Sequence, residues 1–272
     1  MRVLLQIAGA LVLAYAAYLL LLYVGQRSMM FPGAGMAARQ NAFQLPHGAE
    51  AISIPASFGT VSAILLRAPD AKPAPALLYF HGNAEFAAQN TALLQPLTAL
   101  PLHVLIVEYP GYAGSDGVTG RDTLGEAALL AYDWLTRRPE VDRSRIVAMG
   151  RSIGAGPAVE LAVARPVAAL VLLSAFSSID AFAHGMGAPA FLIRDRYDNR
   201  PVLRGYSRPL LLFHGRRDRI IPYAHSLALA QAAPDARMVT LECGHNDCPY
   251  FDPAFVGALE AFLRDAAILP PD

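Results

Sequence analysis

The chain has 272 residues, of which 54% are hydrophobic, and its 22 basic and 22 acidic side chains give a formal net charge of zero. Because neither sign is in excess, nothing indicates a nucleic acid or a strongly charged surface as partner, and we expect no nucleic-acid binding. We find no internal repeat, low-complexity tract or second folded domain in the sequence. The length therefore suits one large α/β domain built around a single sheet.

The N-terminal segment differs in composition from the rest of the chain. From Val3 to Val24 it is apolar apart from Gln6, and 22 helical residues span about 33 Å, enough to cross the core of a bilayer. The alternative is a cleaved signal peptide, with Arg2 before the apolar run and a small-residue cleavage site ending at Ala16. The run continues well beyond that site, so we expect an uncleaved, single-pass transmembrane anchor.

The side of the membrane is indicated only indirectly. Arg2 and the amino terminus precede the anchor, whereas Arg27 and Arg39 follow it, so the charge bias that sets topology is small. One Lys against 21 Arg suggests a GC-rich, bacterial genome. We therefore interpret the chain as a protein of a bacterial inner membrane with its folded domain in the periplasm.

The predicted elements divide the chain into an anchor (1–25), a connector (26–50) and a folded domain (51–272). Two short runs at the start of the domain predict a β-hairpin. Near-continuous apolar runs then alternate with helix-length stretches, which is typical of parallel strands covered on both faces. The fold class is therefore α/β, with a mostly parallel eight-stranded sheet flanked by helices. The predicted strands are 51–55, 61–66, 76–80, 104–107, 146–149, 169–173, 210–213 and 238–241, and the predicted helices are 85–100, 121–137, 153–164, 224–232 and 253–268.

One turn between a strand and a helix has the pattern Gly-X-Ser-X-Gly, with Ser152 at its centre. A serine nucleophile needs its hydroxyl held above the end of a strand, and the sharp turn that does so leaves no room for side chains two residues away. Gly150 and Gly154 meet this steric demand. The alternative is a glycine-rich turn with a helix-capping serine.

Other polar, glycine-rich turns follow the carboxyl ends of predicted strands, where parallel α/β sheets place their active sites. Asp218 follows the strand at 210–213, and His245 follows the strand at 238–241. The order Ser152, Asp218, His245 is the one that an α/β-hydrolase shows.

Five elements occur in order along the chain from about residue 26 to its end. They are His81-Gly82-Asn83-Ala84, Tyr109-Pro110-Gly111-Tyr112, Gly150-Arg151-Ser152-Ile153-Gly154, His214-Gly215-X-X-Asp218-X-Ile220-X-Pro222 and Gly244-His245-Asn246-Asp247. With them the chain resembles the α/β-hydrolase superfamily. Within it, the chain looks like the membrane-anchored α/β-hydrolase-domain serine hydrolases, a branch that includes protein depalmitoylases.

The resemblance implies a role for each matching residue. Ser152 would be the nucleophile, His245 the general base, and Asp218 the carboxylate that orients the histidine. The backbone N–H groups of Asn83 and Ile153 would form the oxyanion hole. Neither a metal ion nor an organic cofactor is implied.

Each assignment has an alternative. The acid could be another aspartate, but only Asp218 closes a strand end. We expect His81 and His214 to brace loops by hydrogen bonding, and Arg151 to pair with a carboxylate rather than to bind substrate. The rival carboxylates are Asp195, Asp198 and Asp247.

The only two cysteines, Cys243 and Cys248, flank His245. Three interpretations stay open: two reduced thiols, a disulfide that braces the His245 loop, and a metal site shared with His245. Two cysteines and one histidine leave a structural tetrahedron incomplete, so we expect no metal. An oxidising compartment would favour the disulfide.

Residues 177–208 fall where α/β-hydrolases insert a lid, and this lid is short. Its apolar side chains either line an acyl pocket or form the core face of one ordinary helix and its loop. These side chains are Phe182, Met186, Phe191, Leu192, Ile193, Tyr197 and Leu203.

Taken together, the sequence predicts a membrane-anchored serine hydrolase that cleaves carboxylic esters or thioesters through an acyl-enzyme, on acyl-bearing substrates near a membrane. A serine peptidase of the same fold is an alternative, although such enzymes usually carry a large lid or an extra domain. A non-enzymatic membrane scaffold is another, although such proteins typically lose a triad member. The oligomeric state is left open.

Overall fold

The structure is a computed structural model that describes residues 1–36, 45–46, 48–69 and 73–270. Helix α1 runs Arg2–Met30 and is long and apolar enough to cross a membrane, judged by length and composition. It continues five residues past the predicted anchor, so the predicted connector begins as helix and then forms a short 3-10 turn over 32–36. The remainder of the connector falls largely on 37–44 and 47, outside the described residues.

The domain is built on one eight-stranded sheet in the order β1-β2-β4-β3-β5-β6-β7-β8. Strands β1 and β2 form the predicted antiparallel hairpin, β2 is also antiparallel to β4, and all other neighbours are parallel. The predicted fold class is therefore confirmed. The strands are β1 (Ala49–Ala56), β2 (Gly59–Leu66), β3 (Ala74–Phe80), β4 (His103–Val107), β5 (Val141–Arg151), β6 (Ala169–Leu173), β7 (Leu210–Gly215) and β8 (Ala236–Leu241).

Helices cover both faces of this sheet, which explains why its central strands are apolar throughout. One apolar layer includes side chains of α3, α4, α6 and α7, and the other includes those of α2 and α8. Asp252 caps α8 by accepting a hydrogen bond of 2.8 Å from the Phe255 N–H. The helices are α2 (Ala87–Leu94), α3 (Arg121–Leu135), α4 (Ala155–Ala164), α5 (Asp180–Gly185), α6 (Asn199–Arg204), α7 (Ala224–Ala232) and α8 (Pro253–Asp265).

The lid lies between β6 and β7 and consists of α5, a 3-10 turn at Ala190–Leu192, and α6. It packs against α1. Asp195 of the lid is 2% exposed and accepts two hydrogen bonds from Arg27 of α1, at 2.7 and 3.0 Å, and one of 2.8 Å from the Arg121 N–H. A buried carboxylate thus joins α1, the lid and the start of α3.

Replacing Asp195 by alanine should therefore destabilise the protein. The change leaves the Arg27 guanidinium and a backbone N–H without their partner, which costs about 2 kcal/mol and lowers the unfolding midpoint by about 4–8 °C. Asp265→Ala is the matched control, because Asp265 and its partner Arg237 are both 57% exposed and such a pair contributes at most about 1 kcal/mol. Equal midpoints for the two variants in thermal unfolding of detergent-solubilised protein would contradict this account.

Candidate active site

Ser152 lies where β5 ends and a 3-10 turn leads into α4. Its φ is +53°, a left-handed conformation that is unfavourable for a residue with a side chain. A Cβ on Gly150 would lie 2.3 Å from the Gly154 oxygen, and one on Gly154 would lie 2.2 Å from the Phe80 oxygen. The two glycines are therefore required by close backbone contacts, as the sequence predicts.

The structure brings Ser152, His245 and Asp218 together. The serine Oγ lies 3.0 Å from His245 Nε2, and His245 Nδ1 lies 2.7 Å from Asp218 Oδ2. Ser152 and Asp218 are 8% and 5% exposed. A hydroxyl, an imidazole and a carboxylate thus form a chain of hydrogen bonds that is largely shielded from water.

The surroundings of Asp218 favour its charged form. Its Oδ1 accepts hydrogen bonds of 2.9 and 2.8 Å from the Ile220 and Ile221 N–H groups. Burial alone would raise the pKa of this carboxyl, but hydrogen bonds from His214, His245 and the Ile221 backbone hold the pKa well below its usual value. Asp218 is therefore ionised across the neutral and mildly acidic range.

A second histidine on Asp218 is a feature that the sequence does not reveal. His214 Nε2 lies 3.3 Å from Asp218 Oδ2 and 2.8 Å from the Ile221 oxygen, while its Nδ1 lies 2.6 Å from the Ser226 hydroxyl. It braces the loop after β7, as predicted, and also contacts the carboxylate.

His81 and Arg151 have the roles that the sequence predicts. His81 Nε2 lies 2.9 Å from Glu108 and its Nδ1 lies 2.8 Å from the Gly82 oxygen. Burial opposes the charge of His81, but Glu108 raises the pKa of the imidazole above its usual value. Arg151 pairs with Glu85 at 2.5 Å.

The rival carboxylates have other partners. Asp195 holds Arg27, Asp198 accepts from the Arg200 N–H at the start of α6, and Asp247 accepts a hydrogen bond of 2.7 Å from the Gly244 N–H. Asp218 is the one that contacts His245.

A cavity of about 270 Å³ adjoins Ser152 and is slightly smaller than the range of about 300–1,000 Å³ usual for ligand sites. Asn83, Ser152 and Ile153 all line it, so the structure brings the predicted oxyanion residues beside the serine. Among the residues that line it in the described part of the chain, none is charged.

The lid side chains divide between the cavity and other places. Phe182, Met186 and Ile193 line the cavity, whereas Leu192 lines a neighbouring groove. Phe191 is 83% exposed and lines neither of them. Tyr197 and Leu203 belong to the core, so part of the lid lines the cavity and part of it packs in the core.

Three lining residues come from the end of α1, and the sequence does not predict them. Gln26, Met29 and Met30 line the cavity, although the sequence assigns them to a connector. Their spacing at i, i+3 and i+4 places them on one helix face, which is the signal that could have indicated a contact.

Cys243 and Cys248 form a disulfide, which answers the question that the sequence leaves open. The ring that it closes contains His245. In the described residues we find no group of three or more His, Cys, Asp or Glu side chains that could hold a metal ion.

The chain is similar in sequence and in fold to known proteins. No protein-family model matches the chain. An uncharacterized protein of Mycobacterium tuberculosis, Rv2307c, is 36% identical over 201 residues, which cover 72% of each chain. The α/β-hydrolase domain-containing protein aho-3 of Caenorhabditis elegans is 29% identical over 69% of this chain and 57% of its own. Among solved structures, the esterase Est2 of Thermogutta terrifontis aligns with a TM-score of 0.67 over 86% of this chain and 99% of its own, at 17% identity.

Reducing the disulfide should impair whatever activity His245 supports. A disulfide across a separation of five residues stabilises the folded chain by about 2 kcal/mol, mainly by restricting the unfolded chain. The same ring limits movement of His245, and small displacements of a reacting group can cost about 100-fold in rate. We expect thiol titration of denatured protein to give no thiols before reduction and two after it. In a Cys243→Ser/Cys248→Ser variant, which is the control, reductant should leave the measured activity unchanged. Two free thiols in protein isolated from a periplasm would contradict the disulfide.

Proposed function

The chain belongs to the α/β-hydrolase superfamily, and on that premise we propose that it is a serine hydrolase that cleaves carboxylic esters or thioesters. The observation that carries the proposal is the chain of hydrogen bonds from Ser152 through His245 to Asp218 beside an apolar cavity. The likeness to a solved esterase supports the fold that this reaction uses.

In the proposed mechanism His245 Nε2 accepts the proton of Ser152 while the serine oxygen attacks the acyl carbon. The carbonyl oxygen becomes an oxyanion, which the backbone N–H groups of Ile153 and Asn83 stabilise. The histidine then protonates the leaving alcohol or thiol, and an acyl-enzyme remains. Water, deprotonated by the same histidine, releases the carboxylic acid and restores the serine.

Asp218 has two tasks in this scheme. It accepts a hydrogen bond from His245 Nδ1, so that Nε2 faces the serine, and it stabilises the imidazolium that forms when the proton moves. Its depressed pKa keeps the negative charge in place for both tasks. No step needs a metal ion or cofactor.

We also propose that residues 1–25 anchor the enzyme in a bacterial inner membrane, with the catalytic domain, 51–272, in the periplasm and acyl-bearing substrates near the bilayer. The apolar character of α1 supports the anchor. A disulfide beside the active site supports an oxidising compartment.

The test is hydrolysis of matched oxygen and sulfur acyl esters of two to sixteen carbons by detergent-solubilised protein. We expect turnover of at least one series and its loss in Ser152→Ala, together with loss of labelling by a fluorophosphonate probe. The unfolding midpoint of the variant serves as the control for folding. Folded wild-type protein that cleaves no ester and takes no label would refute the proposed function.

Asp218→Asn should reduce kcat by about 10³–10⁴-fold, because an amide in place of the carboxylate favours the wrong histidine tautomer. Asp247→Asn is the matched control, since Asp247 lies in the same loop as His245 but binds only the Gly244 N–H in the described contacts. We expect that control to change kcat only slightly. A comparable loss in both variants would mean that loop order, rather than the carboxylate on His245, limits the reaction.

A further inference from the structure

We propose that α1 is part of the substrate site, and that the acyl chain of a lipid ester dissolved in the bilayer reaches Ser152 along a groove between α1 and the lid. This inference rests on the proposed function and adds its substrate class and its route of entry. The groove, here called the acyl groove, is lined by Leu19, Leu22 and Tyr23 of α1 and by Ala188, Pro189 and Leu192 of the lid.

The acyl groove adjoins the cavity beside the serine, because the two share five lining residues. The residues that line both are Gln26, Met29, Ala183, Met186 and Ile193. On α1 the lining positions 19, 22, 26 and 29 recur at intervals of three and four, so they form one stripe along a single helix face. From Leu19 to Met29 this stripe extends about 15 Å along the helix axis.

Hydrogen bonds place the tip of the lid beside the membrane-spanning part of α1. The Tyr15 hydroxyl donates to the Gly187 oxygen and the Tyr18 hydroxyl to the Met186 oxygen, both at 2.7 Å. Tyr15 lies 11 residues before Gln26, which corresponds to about 16 Å of helix, or roughly half of a 30 Å bilayer core. If α1 spans the membrane, the lid tip therefore lies within the near leaflet.

The composition of the lid tip suits that position. Residues 185–193 include no charged side chain, and Phe191 and Met186 are 83% and 43% exposed. In hydrocarbon an exposed apolar side chain is favourable, but an unpaired backbone oxygen costs several kcal/mol. The two tyrosine hydroxyls satisfy such oxygens, and Gln26 donates to the Leu192 oxygen at 3.1 Å.

Charged side chains follow the lid tip and the apolar part of α1, at the level where the bilayer core is expected to end. Arg194 directly follows the apolar lid tip, and its guanidinium lies 5.7 Å from the centre of the Tyr23 ring. Arg27 binds Asp195 at the same end of α1. Tyrosine is enriched at membrane interfaces, and an arginine beside it marks the same boundary. This position leaves the part of the acyl groove formed by Leu19 and Leu22 on the lipid side.

The lining of the groove and the cavity selects the occupant. No charged side chain lines either of them among the described residues, and the polar groups of Gln26 are taken up by the Leu192 oxygen and the Arg194 N–H. A hydrocarbon chain matches this lining in polarity, and the groove, of about 50 Å³, would hold one side of the chain rather than enclose it. A peptide or a charged metabolite would lose its hydrogen bonds to water there. The ester carbonyl would then lie at Ser152 and the chain would extend along α1 into the leaflet.

The test compares two neighbouring leucines of α1 in full-length protein reconstituted in phosphatidylcholine vesicles. Leu22 lines the acyl groove, whereas Leu21 is 73% exposed on the lipid-facing side. Kcat/KM is measured for p-nitrophenyl palmitate and p-nitrophenyl butyrate, with active sites counted by fluorophosphonate labelling. We expect Leu22→Trp to lower the palmitate-to-butyrate ratio at least 10-fold and Leu21→Trp to leave the ratio within about 2-fold of wild type.

Equal ratios in the two variants would overturn the proposal, as would cleavage of an S-palmitoyl peptide by wild-type protein that cleaves neither p-nitrophenyl ester. Ala188→Leu narrows the groove from the lid side and should lower the same ratio, which keeps the test valid if Leu22→Trp fails to fold. If wild-type protein cleaved no ester and took no fluorophosphonate label, the proposed function itself would be refuted.

A measurement that does not depend on catalysis tests how deeply the lid lies in the bilayer. The Trp134→Phe background removes the only tryptophan of the sequence. In that background, the fluorescence of the tryptophan introduced by Phe191→Trp should be quenched by phospholipids brominated on their acyl chains. Val163→Trp is the control, because Val163 is 64% exposed on α4 and outside the lid. Equal quenching of the two tryptophans, or none of either, would overturn the proposal whatever the outcome of the activity assay.

Discussion

The site depends on how closely the Ser152 turn approaches the end of β3. The backbone around Gly154 lies so near the Phe80 oxygen that even a methyl group would not fit between them. This contact holds the start of α4 against the His81–Asn83 loop, so the serine and both proposed oxyanion donors border one cavity. Parallel pairing of β3 with β5 sets the distance, because Phe80 and Gly150 are partners in the ladder.

The electrostatics of the site centre on a buried carboxylate with two histidines. Asp218 is desolvated, which alone would favour its neutral form, yet two backbone N–H groups and two imidazoles surround it. Hydrogen bonds of this kind stabilise the ionised form of a carboxyl more than burial penalises it. His214 of β7 and the two backbone N–H groups of the following loop thus stabilise this charge, and His245 adds to them from the end of β8.

Much of this arrangement can be predicted from sequence, because parallel strands end at a shared edge. That rule brings Ser152, Asp218 and His245 to one place without knowledge of any contact, and the confirmed sheet has the expected strands.

The contacts of α1 could not be predicted in this way. Tyr15 and Gly187 are 172 residues apart, and hydropathy marks where lipid ends but not where a helix ends, so neither the extension to Met30 nor its contact with the lid follows from composition. The lid is short and irregular, and its apolar residues follow neither the helical nor the strand period. The sequence therefore could not predict that Ile193 lines the cavity while Phe191 is exposed.

The contribution of α1 to the cavity means that this helix forms part of the site and does more than extend the chain. A chain cut before residue 51 would keep the serine, the histidine and the aspartate, yet it would lack one wall of the space beside them. The same cut would leave Asp195 of the lid without Arg27 and the lid carbonyls without their tyrosine and glutamine donors. Substrate preferences measured on such a fragment would therefore describe a different pocket. That pocket would be open to water on the side that α1 covers in the full chain.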